Sequence, residues 1–192
     1  MNEVYISVDI EADGPIPGDY SMLSIGACVV SNLSLTFYRE IQPCSLKYDP
    51  EAVKVTGDLR EKCLKDGVHP LYAMQDFDTW VQQVRAGRKA VFVGFKATFD
   101  WMFVHWYFVH YLGRSPFGIA GLDIKAFYAG RFGTAWRDAC KRPIRKHLST
   151  SFKVQLPKHT HNALDDAIEQ AQLFKALLAI KPQAIEPKKF SH

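Results

Sequence analysis

The sequence predicts an α/β fold, a five-stranded mixed sheet flanked by helices. Three observations carry this. The opening stretch VYISVDIEADG alternates Val4, Ile6, Val8 and Ile10 with Tyr5, Ser7, Asp9 and Glu11, the period of two that marks a strand. A later run, KAVFVGF at 89–95, is continuously apolar, as in a strand buried on both faces. Between and after these runs, apolar residues recur at helical spacing, and strands interleaved with helices indicate an α/β sheet.

The elements follow in order. The first strand runs into DGPIPGDYS, a Gly/Pro/Asp loop. MLSIGACVV (22–30) and SLTFYREIQP (34–43) read as two further strands, joined by a short connection as a hairpin. DPEAVKVTG (49–57) reads as a short helix closed by Gly57. PLYAMQDFDTWVQQVRAG (70–87) is a longer helix begun by Pro70 and ended by Gly87, with Leu71, Met74, Phe77, Val81 and Val84 on one face. After KAVFVGF, a helix from about Thr98 to Leu112 is apolar nearly all round and therefore central. GLDIKAF (121–127) predicts a fifth short strand turning into a helix. NALDDAIEQAQLFKALLAI (162–180) predicts an amphipathic helix with Leu164, Ala167, Ile168, Ala171, Phe174 and Leu178 inward. The Pro-broken KPQAIEPKKFSH reads as a tail, so one domain is expected over 1–180 with 181–192 outside it.

Composition bounds the function. At 192 residues, 47% hydrophobic and 13% aromatic, the chain can bury a core and is not disordered. Cys28, Cys44, Cys63 and Cys140 are scattered with no CxxC pair, which argues against a zinc ribbon or redox motif and suits a reducing cytosol; a cytoplasmic location is the expectation. The N-terminus has no basic region of a signal peptide. The most apolar run, WMFVHWYFVHYL, is shorter than the roughly 20 residues of a membrane span. It carries His105 and His110, so it reads as a buried helix and no membrane partner is expected. Its aromatics Trp101, Phe103, Trp106 and Phe108 invite a base-stacking role, but at helical spacing in an apolar helix they fit a core better. Net charge is +4, unevenly spread: residues 137–158 hold seven Lys/Arg and one acid, a net +6, leaving the rest at −2. That segment hints at a polyanionic partner, although taken alone a solvated loop and helix face explains it better.

The carboxylates at element ends carry the chemistry. Asp9 and Glu11 lie two apart on a strand, so both leave the same face. Two adjacent like charges stay ionised cheaply only with a cation between them or water around them, and an edge strand with a solvated polar face would serve the second case. Asp100 enters an apolar helix amid Phe99, Trp101, Met102 and Phe103, where an acid is costly unless paired or metal-bound. A helix-start acid complementing the dipole explains it as well, although Thr98 could cap that helix. In HTHNALDDA, Asn162 reads as an N-cap and Asp165 has a helix-start explanation, on a face with Glu169 and Gln172 that looks solvent-facing. Asp166 shares a more inward face with Ala163, Gln170 and Leu173, which favours it as the functional acid. His161, just before that helix, is placed to act as a general base, with His159 as a competitor.

Asp-x-Glu on a first strand, a later Phe-Asp and a late His-x4-Asp resemble the three motifs of the DEDDh 3′→5′ exonucleases. This group of ribonuclease H-like fold includes ribonuclease T, oligoribonuclease and the proofreading subunits of DNA polymerases. The resemblance spans about Val4 to Leu178. It implies that Asp9, Glu11, Asp100 and Asp166 bind two divalent ions, Mg²⁺ or Mn²⁺, and that His161 is the general base. The His-to-Asp step selects Asp166 over Asp165. Two cations stabilise the attacking and leaving oxygens of phosphodiester hydrolysis, and carboxylates are hard-oxygen ligands for them. The implied partners are single-stranded RNA or DNA 3′ ends, with RNA slightly favoured by analogy with small stand-alone members. Relatives often form dimers, so a homodimer is an assembly the resemblance allows.

The chain departs from the pattern at Lys96, where many relatives carry Asn, and in the loop ADGPIPGDYSML. By position, Ala12, Gly14, Met22 and Leu23 are expected to flank the terminal nucleotide. Arg145 and Lys146 are expected on phosphates, and Lys96 either contacts a phosphate or packs its stem. A catalytically inactive nucleic-acid-binding or polymerase-docking module on the same fold is the competing reading. Its hallmark would be loss of an acid or the histidine, and none is missing. An unrelated acidic-cluster phosphohydrolase of small molecules is a third, against which the long basic segment weighs.

Overall fold

A computed structural model describes residues 2–153 and 162–180. The elements run β1 (Glu3–Ala12), β2 (Met22–Val29), β3 (Asn32–Glu40), α1 (Pro50–Thr56), α2 (Leu59–Asp66) and α3 (Pro70–Arg85). There follow β4 (Lys89–Gly94), α4 (Thr98–Leu112), β5 (Gly121–Asp123), α5 (Ile124–Phe132), α6 (Lys141–Phe152) and α7 (Ala163–Ala179). The five strands form one mixed sheet in the order β3-β2-β1-β4-β5. β1 pairs antiparallel with β2 and parallel with β4, β2 pairs antiparallel with β3, and β4 pairs parallel with β5. This is the mixed sheet that the sequence predicts.

β1 is thus the middle strand, which removes the edge-strand explanation of its acids. Its alternation sorts two cores. Val4, Ile6, Val8, Ile10 and Ala12 face a core built with α3 and α4, where Met74, Phe77, Phe103 and Phe108 are fully buried. On the opposite face Cys28, Val93 and Phe95 pack with Ile124, Ile144, Leu148 and Phe174 from α5, α6 and α7. Tyr5, Ser7, Asp9 and Glu11 alternate toward that second side, and Ser7 is fully buried rather than solvated. Phe103 and Phe108 are core as expected, while Trp101 and Trp106 are only partly buried. All four cysteines are free thiols. Among the described residues no helix is long and apolar enough to cross a membrane.

Several boundaries differ for local reasons. α2 has no counterpart in the sequence reading, because its buried stripe is only Arg60 and Cys63, too thin to register as periodicity. β3 ends at Glu40 rather than 43; beyond it, Gln42 N–H donates to Val68 O and ties the chain to the segment after α2. α3 ends at Arg85, two residues before the glycine, with Ala86 itself in the left-handed region at φ 46°.

α7 is rotated relative to the face read from its large apolar residues. Ala163, Ala167 and Ala171 are fully buried, whereas Leu178 is exposed and Leu164 and Ile168 are half-buried. Small residues face the sheet so that the helix lies flush on it. Gly26 of β2, paired with Asp9, completes the contact: a Cβ there would stand 2.3 Å from Ala163 C and O and from Leu164 N. Because backbone is the obstacle, no rotamer relieves the overlap. Gly26→Ala is therefore expected to cost about 1–3 kcal/mol of stability as an overpacking change. The check is a lower urea midpoint with unchanged m-value.

Candidate active site

Parallel β1 and β4 end on the same edge of the sheet, and open α/β sheets bind ligands outside such carboxyl ends. Asp9 and Glu11 sit near the end of β1, and Asp100 lies in the first turn of α4, six residues beyond β4. Asp166 lies in the first turn of α7. Asn162 caps that helix, its Oδ1 accepting from the N–H groups of Leu164 (3.0 Å) and Asp165 (3.2 Å). Asp165 then points to solvent and Asp166 is buried, the assignment favoured by the helix-face reading.

Asp9, Glu11 and Asp166 each place a carboxylate oxygen within 4.8 Å of the others. Asp100 is 6% exposed, and its Oδ1 accepts the Ile10 N–H at 3.2 Å, which holds it against β1. Burial pushes the Asp9 carboxyl well above its usual range, and the charges of Asp100, Asp166 and Glu11 push it the same way. Glu11 is raised to about 7, by burial and then by Asp166. Asp100 is raised to about 7 by burial, with the Ile10 N–H and Lys141 acting against the shift. All four acids of the sequence pattern therefore share one electrostatic neighbourhood. His161 lies outside the described residues.

Two residues that the sequence reading did not assign to the site support it. Gln170, 2% exposed, accepts the Phe95 N–H at 2.8 Å through Oε1 and donates through Nε2 to Asp9 Oδ1. The Phe95 bond orients the amide so that its donor end meets the carboxylate. Asp13 is fully buried: its Oδ2 accepts from Arg60 Nε at 2.9 Å, its Oδ1 from Ser21 N–H at 2.5 Å, and its carbonyl from Asp49 N–H at 2.7 Å. The spacing of Asp13 from Glu11 resembles that of another ligand, but its oxygens serve the fold. No sequence signal separates those two roles.

Asp9 and Asp100 open onto a cleft of about 390 Å³ also lined by Phe95, Lys96, Phe99 and Lys141, among others. Lys96 is exposed there with its backbone at φ 60°. A second hollow of about 400 Å³ lies across Phe99, where Glu11, Ala12, Gly14 and Val55 form the walls. Met22 and Leu23 do not reach either hollow. Both are fully buried in β2, which corrects the expectation that they contact the terminal nucleotide. Arg145 is also engaged otherwise than expected: it pairs with Glu169, which is 1% exposed rather than solvent-facing. Lys146 is exposed on α6, and the basic residue of α6 that lines the cleft is Lys141.

Residues 4–178 match the model of the Rv2179c-like 3′-5′ exoribonuclease domain. The chain belongs to this family. It is 44% identical over 176 residues to the 3′-5′ DNA exonuclease Cap18 of Escherichia coli, covering 91% of each chain. The nuclease domain of 3′hExo, a DEDDh family member bound to rAMP, shares the fold at a TM-score of 0.69 and 12% identity, over 91% of both chains. Exonuclease I of E. coli in complex with a dA16 oligonucleotide does so at 0.67 and 14%, over 94% of this chain and 41% of that one. This Rv2179c-like domain is a 3′→5′ exonuclease, and its ribonuclease H-like fold is the one seen in the DEDDh member 3′hExo.

The donor set suits hard divalent cations. It offers carboxylate oxygens, no thiolate pair and no imidazole cluster among the described residues. The raised carboxyls give a pH signature. Their folded values exceed the unfolded value near 4, so the folded state holds more protons between about pH 4 and 7. Stability without metal should therefore fall as pH rises through this window. A divalent cation at a hundred times its Kd should restore about 2.7 kcal/mol, most strongly at the upper end. Thermal unfolding from pH 5 to 8, with EDTA or with Mn²⁺, measures this. A metal-free protein equally stable across the window would contradict the cluster's electrostatics.

Proposed function

We propose that this exonuclease removes nucleotides from the 3′ end of single-stranded nucleic acid with DNA as the preferred strand, using Asp9, Glu11, Asp100 and Asp166 as ligands for two Mg²⁺ or Mn²⁺ ions and His161 as general base. The observation that carries the chemistry is the meeting of three carboxylate oxygens within 4.8 Å, with Asp100 buried beside them. When bound, two divalent cations supply charge stabilisation for the attacking and leaving oxygens of an in-line displacement. Asp9 is pre-oriented by Gln170, and Asp100 by the Ile10 N–H. His161 accepts the proton of the attacking water at an imidazole nitrogen. The P–O3′ bond breaks, leaving a 3′-hydroxyl on the shortened strand and the phosphate on the released nucleotide.

The preference for DNA rests on the 44% identity to a DNA exonuclease and reverses the slight tilt toward RNA drawn from small family members. RNA is the second reading, supported by the exoribonuclease description of the family model. The inactive-module reading is opposed by the presence of all four acids in one neighbourhood.

Incubation of 5′-labelled single-stranded DNA and RNA of one sequence with Mn²⁺, Mg²⁺ or EDTA tests the reading. The expected result is a ladder shortening from the 3′ end, faster on DNA and absent in EDTA. Asp9→Ala and Asp166→Ala should each lower the rate about a thousandfold, the effect of losing about 4 kcal/mol of transition-state stabilisation. Asp165→Ala should retain activity. A dead Asp165→Ala beside an active Asp166→Ala would break the assignment, and faster RNA decay would reverse the substrate order.

A further inference from the structure

Helix α6 carries two cations one turn apart, Lys141 and Arg145, and both reach the same buried carboxylate, Glu169 of α7. Lys141 Nζ lies 2.8 Å from Glu169 Oε2, and Arg145 Nη1 approaches Oε1. One carboxylate thus meets two positive charges, an excess for a purely structural pair. The two cations also differ in surroundings. Lys141 lines the catalytic cleft together with Asp9, Lys96, Asp100 and Gln170, and Arg145 does not. The Lys141 ammonium stands 5.6 Å from the centre of the Phe95 ring and its side chain keeps 24% exposure. An ammonium has three donors, and among the described residues Glu169 is the only hydrogen-bond acceptor of this one. An ammonium in the wall of the cleft with donors to spare is suited to an anion that arrives there, and a nucleic-acid backbone is such an anion.

We propose that Lys141 is a substrate-contact residue that donates to a non-bridging oxygen of a backbone phosphate bound in the cleft, while Arg145 is the structural partner that keeps Glu169 neutralised. This rests on reading the cleft as the nucleic-acid site. Glu169 fixes the ammonium in place, so the contact is pre-formed and little side-chain freedom is lost on binding. A purely compensating lysine, present only to offset the acids, would behave differently. Its loss would tighten cation binding and leave the salt dependence of strand binding unchanged.

Fluorescence anisotropy of a labelled single strand separates the two, in Ca²⁺ and again in EDTA, across a salt series. The proteins are wild type, Lys141→Met, Lys141→Arg and Arg145→Met, each checked by thermal unfolding. Lys141→Met, which keeps the stem over Phe95, should bind about tenfold more weakly at 0.1 M salt. Its log–log salt slope should be shallower by about 0.7, one phosphate contact on a single strand. Lys141→Arg should restore most of both, and Arg145→Met should lower the unfolding temperature while keeping the wild-type slope. The proposal is overturned if Lys141→Met keeps wild-type affinity and slope, if both methionine variants change the slope alike, or if the wild type binds no strand. Hydrolysis in Mn²⁺ distinguishes the two levels of inference. A wild type that binds through Lys141 yet cleaves nothing would sink the exonuclease assignment and spare this one. A wild type that cleaves with no Lys141 effect does the reverse.

Discussion

The flush contact between α7 and the β1–β2 pair is the constraint on which the rest of the site depends. Gly26 leaves no Cβ between the sheet and Ala163, and three alanines let the helix axis approach closely. That approach brings the first turn of α7 over the polar face of β1, so Asp166 meets Asp9 and Glu11. The fold thereby confines like charges that would otherwise separate, and it does so with packing energy. Desolvation is the largest influence on Asp9, Glu11 and Asp100, ahead of any single neighbouring charge. Such a cluster is costly without a cation, so cation binding and folding are linked. The ion pairs of Glu169 with Lys141 and Arg145 belong to the same arrangement, since they dock α6 on α7 one turn after Asp166.

A second constraint acts just beyond the same carboxyl end of β1. Asp13 gathers donors from Arg60, Ser21 and, through its carbonyl, Asp49. Arg60 in turn donates to Ser45 O at 3.0 Å and lies 5.0 Å from the centre of the Tyr48 ring. The loop after Glu11, the segment before α1 and helix α2 are therefore tied at one buried ion pair. Removing one partner of such a pair leaves an uncompensated buried charge, which makes it a fixed point rather than a flexible link. The hollow walled by Ala12, Gly14 and Val55 owes its shape to this tie.

Legibility in the sequence followed the strength of the local signal. Period-two alternation gave β1 and its two faces, and the Asn162 cap separated Asp165 from Asp166, because both signals act within a few residues. α2 escaped because Arg60 and Cys63 are its only buried positions. On α7, Ala167, Ala171 and Phe174 were read correctly as buried, but Leu164, Ile168 and Leu178 were placed inward with them because hydrophobicity favours large side chains, whereas close packing on a sheet favours small ones such as Ala163. Glu169 and Arg145 were misplaced for a related reason. A charged residue reads as solvated until its partner on another helix is known, and that pairing spans 24 residues. Gln170 was read on the inward face of α7, but its role and that of Asp13 carried no local signal, since their partners lie 75 and 47 residues away.

The choice between strands cannot reside in the acids. Carboxylates that hold cations against phosphate are indifferent to the sugar, and the fold is shared with proteins seen with rAMP and with dA16. What distinguishes RNA from DNA at a given site is the 2′-hydroxyl, a donor and acceptor that must be welcomed or excluded by the walls. On the proposed reading those walls would be Phe99, which lines both hollows, and the Ala12, Gly14 and Val55 surfaces beyond it. They come from the loop after the first motif and from α1, a helix with no buried residue of its own. On the proposed reading, sugar selectivity would rest on elements that the buried Asp13–Arg60 pair positions, and the hydrolytic chemistry on the acids that α7 brings to β1. A site divided in this way leaves the two properties free to vary independently, which is compatible with a likeness both to an exoribonuclease family model and, at 44% identity, to a DNA exonuclease.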